Sequence, residues 1–197
     1  MEIIPFIRLK KGTVFGADQL FSVKEIKELL EEDKNLYVLD DDGIENNQPN
    51  LELYQQLSER YILWVDNGPR DLGDIFDTVM AGASTILLRT NLWQKGDVSD
   101  IQETVENMVY VAVDWRKQGP TDNNIPFPIG IQGIAVIRDN KPEEDFNTDE
   151  LVKTLCKKYK TYITDADECN ETYWKSIGAQ GILIPVKKKE TVNKDGI

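Results

Sequence analysis

Short apolar runs alternate with amphipathic stretches along most of the chain. The first run, MEIIPFIRLKKG, has the continuous apolar character of a buried strand and carries a charge, Arg8, near its downstream end. After it, Ser22 and Glu25 have the spacing of a helix capping box, and apolar residues follow at helical intervals. The pattern therefore predicts a strand followed by a helix of about three turns.

The same alternation continues towards the C-terminus. Seven further strands are predicted, at NLYVLDDDG, YILWVD, STILLR, VYVAVD, GIAVIRDN, KTYITDAD and GILIPV. Helices are predicted from Asn50 in NLELYQQLSER, from the cap Asp71 to Gly82, and in VSDIQETVENM, NTDELVKTLCKKY and ETYWKSIG. Strands that alternate with helices in this way are joined by right-handed crossovers and lie parallel in one sheet.

Two segments interrupt the rhythm. KQGPTDNNIPFPIGIQ contains three prolines where a fifth helix is expected, so a loop or a short turn is predicted there. The tail after strand eight, KKKETVNKDGI, is polar and too short for a full eighth helix.

Eight strand-and-helix units are the number at which a parallel sheet closes into a (β/α)8 TIM barrel. We therefore predict a compact barrel over residues 1–186, with helix five reduced and helix eight missing, followed by a polar tail over 187–197. The alternative is an open, doubly wound sheet.

Composition agrees with one globular domain and narrows its chemistry. The 197 residues are 40% hydrophobic and 29% charged, with a net charge of −12. Because this charge is negative and no basic block is present, binding to nucleic acid or to an anionic membrane is disfavoured. Histidine is absent, which excludes His-based triads and zinc sites and leaves carboxylates, Lys, Tyr or Cys for acid–base chemistry.

The remaining features favour a cytoplasmic protein. The two cysteines, Cys156 and Cys169, form no CxxC pattern, and Cys156 falls among the apolar positions of a predicted helix. No basic leader, cleavage site or apolar stretch of membrane-spanning length is found. We expect neither a cofactor nor a resident metal.

In barrels of this kind, reactive groups project from the downstream ends of the strands. The residues at those ends are charged or polar almost without exception: Arg8, Lys10, Asp40, Asp41, Asp42, Asp66, Asn67, Arg89, Thr90, Asp114, Arg116, Arg138, Asp139, Asp165, Asp167 and Lys187. Such a ring is also what structural ion pairs at solvated strand ends produce. A Mg²⁺ site made of Asp40 or Asp42 with Asp66 and Asp114 is a further alternative, although nothing in the spacing favours a metal over paired arginines.

Parts of the chain resemble a known family of barrels. The stretches LYVLDDDGIENNQPNLELYQQL and LWVDNGPRDLGDIFDTVMAGASTILLRTNLW, with MEIIPFIRLKKGTV and VAVDWRKQG, are similar to the HisA/HisF superfamily of histidine biosynthesis. Its members are the phosphoribosylformimino-aminoimidazole-carboxamide ribotide isomerase and the cyclase subunit of imidazole glycerol phosphate synthase. The most specific motif comprises Asp40, Asp42, Gly43, Pro49, Asn50, Leu51 and Glu52.

The resemblance implies acid–base catalysis on a substrate with two phosphate groups. The family uses two aspartates, at the ends of strands one and five, and glycine-rich loops that bind phosphate. Here Asp114 occupies the strand-five position, whereas Arg8 stands where the strand-one aspartate belongs. An arginine cannot act as a base at neutral pH, so the histidine-pathway isomerisation itself is not expected.

The phosphate loops also depart from the family pattern. The strand-three loop keeps Gly68 and Arg70, and Arg89 with Thr90 replaces a strand-four glycine–threonine pair, so that one phosphate could still bind. On the other side Asp165 and Pro185 replace glycines, and the second phosphate site is expected to be lost. The chain thus looks like a divergent relative of the type found beside the true enzymes in archaea.

Two functional hypotheses follow. The first is an isomerase- or lyase-type enzyme acting on a small phosphorylated or anionic metabolite. Its catalytic candidates are Asp114, Asp40 and Asp42, and its substrate-binding candidates are Arg8, Gly68, Arg70, Arg89, Thr90, Arg116 and Arg138. The second is a non-catalytic ligand-binding or structural barrel with a mouth closed by Arg–Asp ion pairs.

The missing eighth helix also affects assembly. It leaves the outer faces of strands eight and one without their usual cover, so we predict a possible homodimer through that side. The segment GTVFGADQLF offers an alternative cover from within the chain.

Overall fold

The structure, a computed structural model, describes residues 1–17, 19–32, 34–93, 98–104, 108–114, 127–137, 148–165 and 170–188. Its strands are β1 (Glu2–Lys10), β2 (Thr13–Gly16), β3 (Gln19–Phe21), β4 (Asn35–Asp40), β5 (Ile62–Asp66), β6 (Ala83–Leu88), β7 (Met108–Asp114), β8 (Gly133–Ile137), β9 (Lys160–Thr164) and β10 (Gly181–Pro185). Its helices are α1 (Val23–Leu29), α2 (Asp41–Asn46), α3 (Leu51–Ser58), α4 (Leu72–Met80), α5 (Ser99–Thr104), α6 (Thr148–Cys156) and α7 (Glu171–Ser176).

Eight of the strands close into a parallel barrel. The order runs β1, β4, β5, β6, β7, β8, β9, β10, and β10 returns to pair with β1. In this closing pair Glu2 lies opposite Gly181 and Phe6 lies opposite Pro185. The (β/α)8 TIM barrel predicted from the sequence is confirmed, and the open doubly wound sheet is excluded.

The predicted helix starts follow from side chains that satisfy free backbone N–H groups. Ser22 and Glu25 form the expected capping box of α1. Asn50 directly precedes α3, and Asp71 caps α4 by accepting from the N–H of Asp74. Past the end of α4, Gly82 has a φ of 102°, a conformation that glycine adopts at little cost.

Two elements differ from the sequence-based prediction. The residues after β4, predicted as a polar turn, form the short helix α2, because the carboxylate of Asp40 accepts from the N–H groups of Asp42 and Gly43. The segment after β1 forms an antiparallel hairpin of β2 and β3, which adds to the downstream half of β1. Lys11 and Gly12, with φ of 52° and 66°, form the turn between β1 and β2.

The two predicted helix deficits fall largely outside the described residues. The predicted fifth-helix region spans 117–132, of which only 127–132 are described, and these residues contain no helix. The tail beyond residue 188 is not described, so the missing eighth helix and the polar tail stay predictions. No helix of the described part of the chain has both the length and the apolar character needed to cross a membrane.

Apolar side chains form two layers, one on each face of the barrel wall. One layer packs between the strands and the helices, and the other fills the barrel interior with Ile4, Tyr37, Leu39, Trp64, Leu87, Tyr110, Ala112, Ala135, Ile137, Tyr162 and Leu183. Because side chains alternate along a strand, every second residue belongs to the interior layer. The same alternation decides which residues reach the mouth of the barrel.

Candidate functional site

The mouth lies at the downstream ends of the barrel strands, where the interior alternation continues with charged residues. Each of five charged residues comes two positions after an interior residue of its strand. These pairs are Phe6 and Arg8, Leu39 and Asp41, Trp64 and Asp66, Leu87 and Arg89, and Ala112 and Asp114. We refer to Arg8, Asp41, Asp66, Arg89 and Asp114 as the mouth cluster. Ion pairs join its members in two groups, Arg8 with Asp41, and Arg89 with Asp66 and Asp114.

The centre of the first group is a buried pair of Asp66 and Arg89. Arg89 donates from Nε to Oδ1 of Asp66 over 2.8 Å and from Nη2 to Oδ2 over 2.7 Å. The side chains are 0% and 6% exposed, respectively. A two-point contact of this kind fixes the plane of the guanidinium as well as its position.

Tyr37 adds a third donor to the same carboxylate. Its hydroxyl donates to Oδ2 of Asp66 over 3.0 Å from inside the barrel. Burial raises the pKa of Tyr37, and the negative charge of Asp66 acts in the same direction, so the hydroxyl keeps its proton. Burial opposes the charge of Arg89, but Asp66 outweighs this effect and raises the pKa of the guanidinium.

Arg89 also faces a second carboxylate. Its Nη1 lies 3.9 Å from Oδ2 of Asp114, whose side chain is 27% exposed. Asp114 sits at the end of β7 and belongs to the same face as the buried Tyr110 and Ala112. The guanidinium of Arg89 therefore stands between one buried carboxylate and one that reaches solvent.

The second group consists of Arg8 and Asp41, on the neighbouring strands β1 and β4. Nε of Arg8 lies 3.5 Å from Oδ2 of Asp41, and the side chains are 39% and 14% exposed. Burial raises the pKa of Asp41, and the positive charges of Arg8 and Lys10 only partly offset this effect. Asp41 is thus a partly buried carboxyl group beside an arginine that extends into solvent.

Asp40, predicted from the sequence as a catalytic residue, points away from the mouth. Its carboxylate is fully buried in the barrel wall and accepts from the N–H groups of Asp42 and Gly43, from the N–H and Nδ2 of Asn50, and from the hydroxyl of Tyr54. Five donors occupy the lone pairs of one carboxylate. These contacts give Asp40 the role of holding α2 and α3 against β4.

Asp42, the other predicted catalytic carboxylate, fastens the hairpin turn. It accepts from the N–H of Lys11 over 2.8 Å, from the N–H of Gly12 over 3.0 Å and from Nδ2 of Asn50 over 3.0 Å. Partial burial opposes ionisation, but these hydrogen bonds prevail and lower the pKa of Asp42. Asp42 therefore stays ionised and holds the start of β2 beside α2.

The predicted phosphate loop after β5 is engaged in contacts within the protein. Arg70 donates from Nη1 to the carbonyls of Gly43 and Gly68 and to Oδ1 of Asn47, and from Nη2 to the carbonyl of Ile44. Gly68 has a φ of 67°, which turns the loop back towards α2. Arg70 thus donates to oxygens at the C-terminal end of α2 and of its own loop, and these contacts direct its guanidinium to the protein instead of to a phosphate.

Of the other strand-end residues predicted from the sequence, Thr90 and Asp165 are described. Thr90 follows Arg89 in the chain, and Asp165, after β9, accepts from Nδ2 of Asn170 and from Nε1 of Trp174. Arg116 and Arg138 lie outside the described residues, as do Asp139 and Asp167. The substrate-binding roles of Arg116 and Arg138 stay predictions.

A magnesium site gains no support from the carboxylates that are described. Within this part of the chain, no group of three or more His, Cys, Asp or Glu side chains is arranged to hold a metal ion. Asp40 faces the wall and Asp66 is bound by Arg89. Of the two carboxylates of that predicted set in the mouth cluster, Asp66 is buried and Asp114 reaches solvent.

From the sequence, Asp41 was predicted only as one of the strand-end charges, and Asp66 had a further role only in the magnesium alternative. The two-residue alternation of a strand distinguishes Asp41 from its neighbours. Asp41 comes two residues after Leu39 of the interior layer, whereas Asp40 and Asp42 do not continue the interior positions of β4. Applying the period beyond the last strand residue would have separated the three consecutive aspartates.

Comparison with known proteins supports the fold. No protein-family model matches the chain, and no curated protein sequence matches it. The 3-hexulose-6-phosphate synthase of Salmonella typhimurium superimposes with a TM-score of 0.62 over 93% of this chain and 88% of its own, at 13% sequence identity. Another structure of a 3-hexulose-6-phosphate synthase gives a TM-score of 0.60 over 93% and 89%, at 14% identity.

At these identities the likeness establishes the barrel architecture alone. Neither of these two structures belongs to histidine biosynthesis by its description. The resemblance to the histidine-biosynthesis barrels therefore stays a prediction from the sequence motifs.

Proposed function

We propose that this barrel is an isomerase- or lyase-type enzyme that uses carboxylate acid–base chemistry on a small phosphorylated or anionic metabolite. The observation that carries the proposal is the position of Asp114, a solvent-reaching carboxylate held 3.9 Å from the guanidinium of Arg89 at the mouth. In this proposal Asp114 is the general acid or base. Arg8 and Arg89 supply positive charge for the anionic group of the substrate.

The Asp66–Arg89 pair suits such a role because it is built before any substrate arrives. A guanidinium that is already oriented needs no rearrangement to stabilise negative charge that develops on a substrate oxygen. Two of its nitrogens are bound by Asp66, and the third is on the side of Asp114. Asp40, Asp42 and Arg70 enter the proposal as positioning residues for α2.

Phosphorylated sugars are the first substrate class to examine. The two structural neighbours are named for the synthesis of a phosphorylated hexulose, and the cationic side chains Arg8 and Arg89 fit an anionic group. A cytoplasmic location and a homodimer through the β10 and β1 side remain part of the proposal, as predicted from the sequence.

The test is solvent exchange of carbon-bound hydrogen. The full chain is incubated in heavy water with a panel of phosphorylated aldoses and ketoses, and loss of the proton signal next to the carbonyl is followed by NMR. An acid–base isomerase or lyase removes such a proton, and Asp114→Asn is expected to slow the exchange by about 100-fold or more.

Asp77→Asn is the matched control, because Asp77 is an exposed aspartate on α4, away from the mouth. Both variants should keep the thermal unfolding midpoint of the unmodified protein. Exchange at the unmodified rate in Asp114→Asn would overturn the role of Asp114.

A non-catalytic barrel is the second candidate, favoured by the buried Asp66–Arg89 pair. If this pair only stabilises the fold, Arg89 is not available to a ligand, and no ligand is expected to bind at the mouth. A ligand at a hundred times its dissociation constant stabilises the folded state by about 2.7 kcal/mol, which a thermal-shift screen detects. An absence of both shift and proton exchange across sugar phosphates, nucleotides and divalent cations would favour this candidate.

A further inference from the structure

Asp41 offers a second proton-carrying group at the mouth, beside Arg8 and directly after the buried wall residue Asp40 in the chain. It belongs to the interior alternation of β4, after Tyr37 and Leu39. Asp40 caps α2, whose first residue is Asp41, so the backbone at this position is held by hydrogen bonds. A carboxyl group fixed at the mouth in this way can meet a ligand without rearrangement of the chain.

The environment of Asp41 makes its proton sensitive to whatever binds nearby. The charged groups that face it are Arg8 and Lys10 from β1, Glu45 from its own helix, and Arg89 after β6. Arg8 forms an ion pair with Asp41 over 3.5 Å, and its side chain is 39% exposed. An anion that enters the mouth therefore meets the same arginine that stabilises the carboxylate of Asp41.

We propose that Asp41 is a second acid–base residue of this site and that it takes up a proton when an anionic ligand binds to Arg8. Two negative groups compete for one guanidinium. The carboxylate can lose its whole charge by taking up one proton, whereas sulfate stays a dianion and a phosphate ester keeps at least one negative charge near neutral pH. The direction of the pKa agrees, because burial already raises the pKa of Asp41 and Arg8 opposes this rise.

This inference rests on the proposed function and adds a second proton-transfer group, which acts on the carbonyl oxygen of the substrate. With Asp114 as the base that takes a proton from carbon, the C–H electron pair forms a carbon–carbon double bond. The carbonyl electron pair then moves to oxygen, which accepts the proton carried by Asp41. Reversal of these steps at the neighbouring carbon returns both protons, so the isomerisation balances without an added oxidant or reductant. Binding of the anionic substrate thus leads Asp41 to take up from solvent the proton that it delivers to the carbonyl oxygen.

The test measures proton uptake on anion binding and needs no knowledge of the substrate. Sulfate is titrated calorimetrically into the full chain from pH 4.5 to 7, in buffers with different ionisation enthalpies. The unmodified protein is expected to take up a fraction of a proton per sulfate. Its affinity should rise by up to about tenfold per pH unit as the pH falls through the titration of Asp41.

Four variants make the result specific. Asp41→Asn should bind sulfate with no proton uptake and with a flatter pH dependence, and Asp41→Glu should restore the uptake. Asp77→Asn should behave as the unmodified protein, and Arg8→Gln should remove the sulfate binding that is linked to the proton. Thermal unfolding of each variant checks that it is folded.

Two outcomes would overturn the proposal. One is equal proton uptake in Asp41→Asn and the unmodified protein, and the other is the absence of any sulfate binding that depends on Arg8. Both can occur while Asp114 still catalyses exchange of carbon-bound hydrogen, so failure here is distinguishable from failure of the proposed function.

Discussion

At the residue scale, Asp40 and Asp41 are neighbours in the chain with opposite surroundings. Asp40 faces the wall and receives five hydrogen-bond donors, whereas Asp41 faces the mouth and lies beside Arg8. The difference arises from the alternation of a strand that ends between them. Chemically identical residues therefore receive a structural and a candidate functional role from their position alone.

The buried pair of Asp66 and Arg89 provides a stability prediction at the same scale. Asp66→Asn keeps the size of the side chain but removes the charge that binds two nitrogens of the buried guanidinium of Arg89, and leaves Asp114, 3.9 Å from Nη1, as its remaining ion-pair partner of the mouth cluster. Removal of one member of a buried ion pair costs about 3–5 kcal/mol, and we expect a loss of this size in the free energy of unfolding. Urea denaturation followed by tryptophan fluorescence measures it.

Glu32→Gln is the matched control for this prediction. Glu32 pairs with Arg60 at the surface, where its side chain is 62% exposed. Loss of an exposed pair costs at most about 1 kcal/mol. If Asp66→Asn and Glu32→Gln lowered the stability equally, Arg89 would have to gain solvent or another partner in the variant, and the buried-pair description would be wrong.

At the element scale, the helix starts and the barrel strands were predictable because their signals are local. The capping box of α1 and the cap of α4 lie within four residues of the helices they start. The helix α2 has a local cap in Asp40, but it is only six residues long and also depends on distant partners. Arg70 binds the carbonyls of Gly43 and Ile44, and Asn50 shares the carboxylate of Asp40. Such long-range contacts leave no period in the sequence.

The hairpin of β2 and β3 was only partly predictable for the same reason. GTVFGADQLF contains turn residues, but its antiparallel pairing with β1 also requires Gly16 to approach the chain after β10. A Cβ on Gly16 would lie 2.3 Å from the carbonyl oxygen of Val186. Lys188 then donates its N–H to Oε1 of Gln19 over 2.7 Å. The hairpin thus contacts both β1 and the chain directly after β10.

Glu25 links this hairpin region to helix α1 and predicts an acid dependence. Its carboxylate accepts from the N–H and hydroxyl of Ser22 and from Nζ of Lys188. These contacts, the backbone bond to Ser22 foremost, lower the pKa of Glu25 from 4.5 to about 2. The unfolded chain binds this proton more readily than the folded protein does. The stability that the contacts of Glu25 contribute is therefore complete above about pH 4.5 and is lost as the pH falls towards 2.

Glu25→Gln should therefore be less stable than the unmodified protein at neutral pH and show a shallower loss of stability between pH 4.5 and 2. Glu28→Gln, on the same helix and 62% exposed, is the control and should keep the steep acid dependence. Urea midpoints at each pH measure the difference. Parallel curves for Glu25→Gln and the unmodified protein would show that the contacts of Glu25 carry no net stability.

At the scale of the whole molecule, the barrel has two different ends. At the upstream end, the rings of Trp64, Tyr110 and Tyr162 pack together, and Gly133 and Gly181 leave room for the two tyrosines. At the downstream end, the same interior faces carry the mouth cluster. Because aromatic rings fill the upstream end and charged side chains lie at the downstream end, a ligand would bind at the downstream end, as the proposed function requires.

The side of the barrel at β10 and β1 carries the remaining prediction, a homodimer. Exposed apolar side chains on these and adjoining elements are Ile3 of β1, Leu20 of β3 and Tyr173 of α7, at 43%, 57% and 42% exposure. Burial of such side chains favours association, whereas the net charge of −12 on each chain opposes it. We therefore expect a dimer that forms at raised protein concentration and strengthens with salt, because salt screens the repulsion.

Light scattering over a range of protein and salt concentrations tests this prediction. The mass should rise from the 22.5 kDa of one chain towards twice that value. The double variant Ile3→Glu and Leu20→Glu should stay monomeric, because it adds charge to the surface that associates. Met80→Glu places the same charge on α4, where Met80 is 67% exposed, and should dimerise almost as the unmodified protein does. A constant monomeric mass of the unmodified protein would show that the chain's own hairpin covers this side and that the barrel functions as a single subunit.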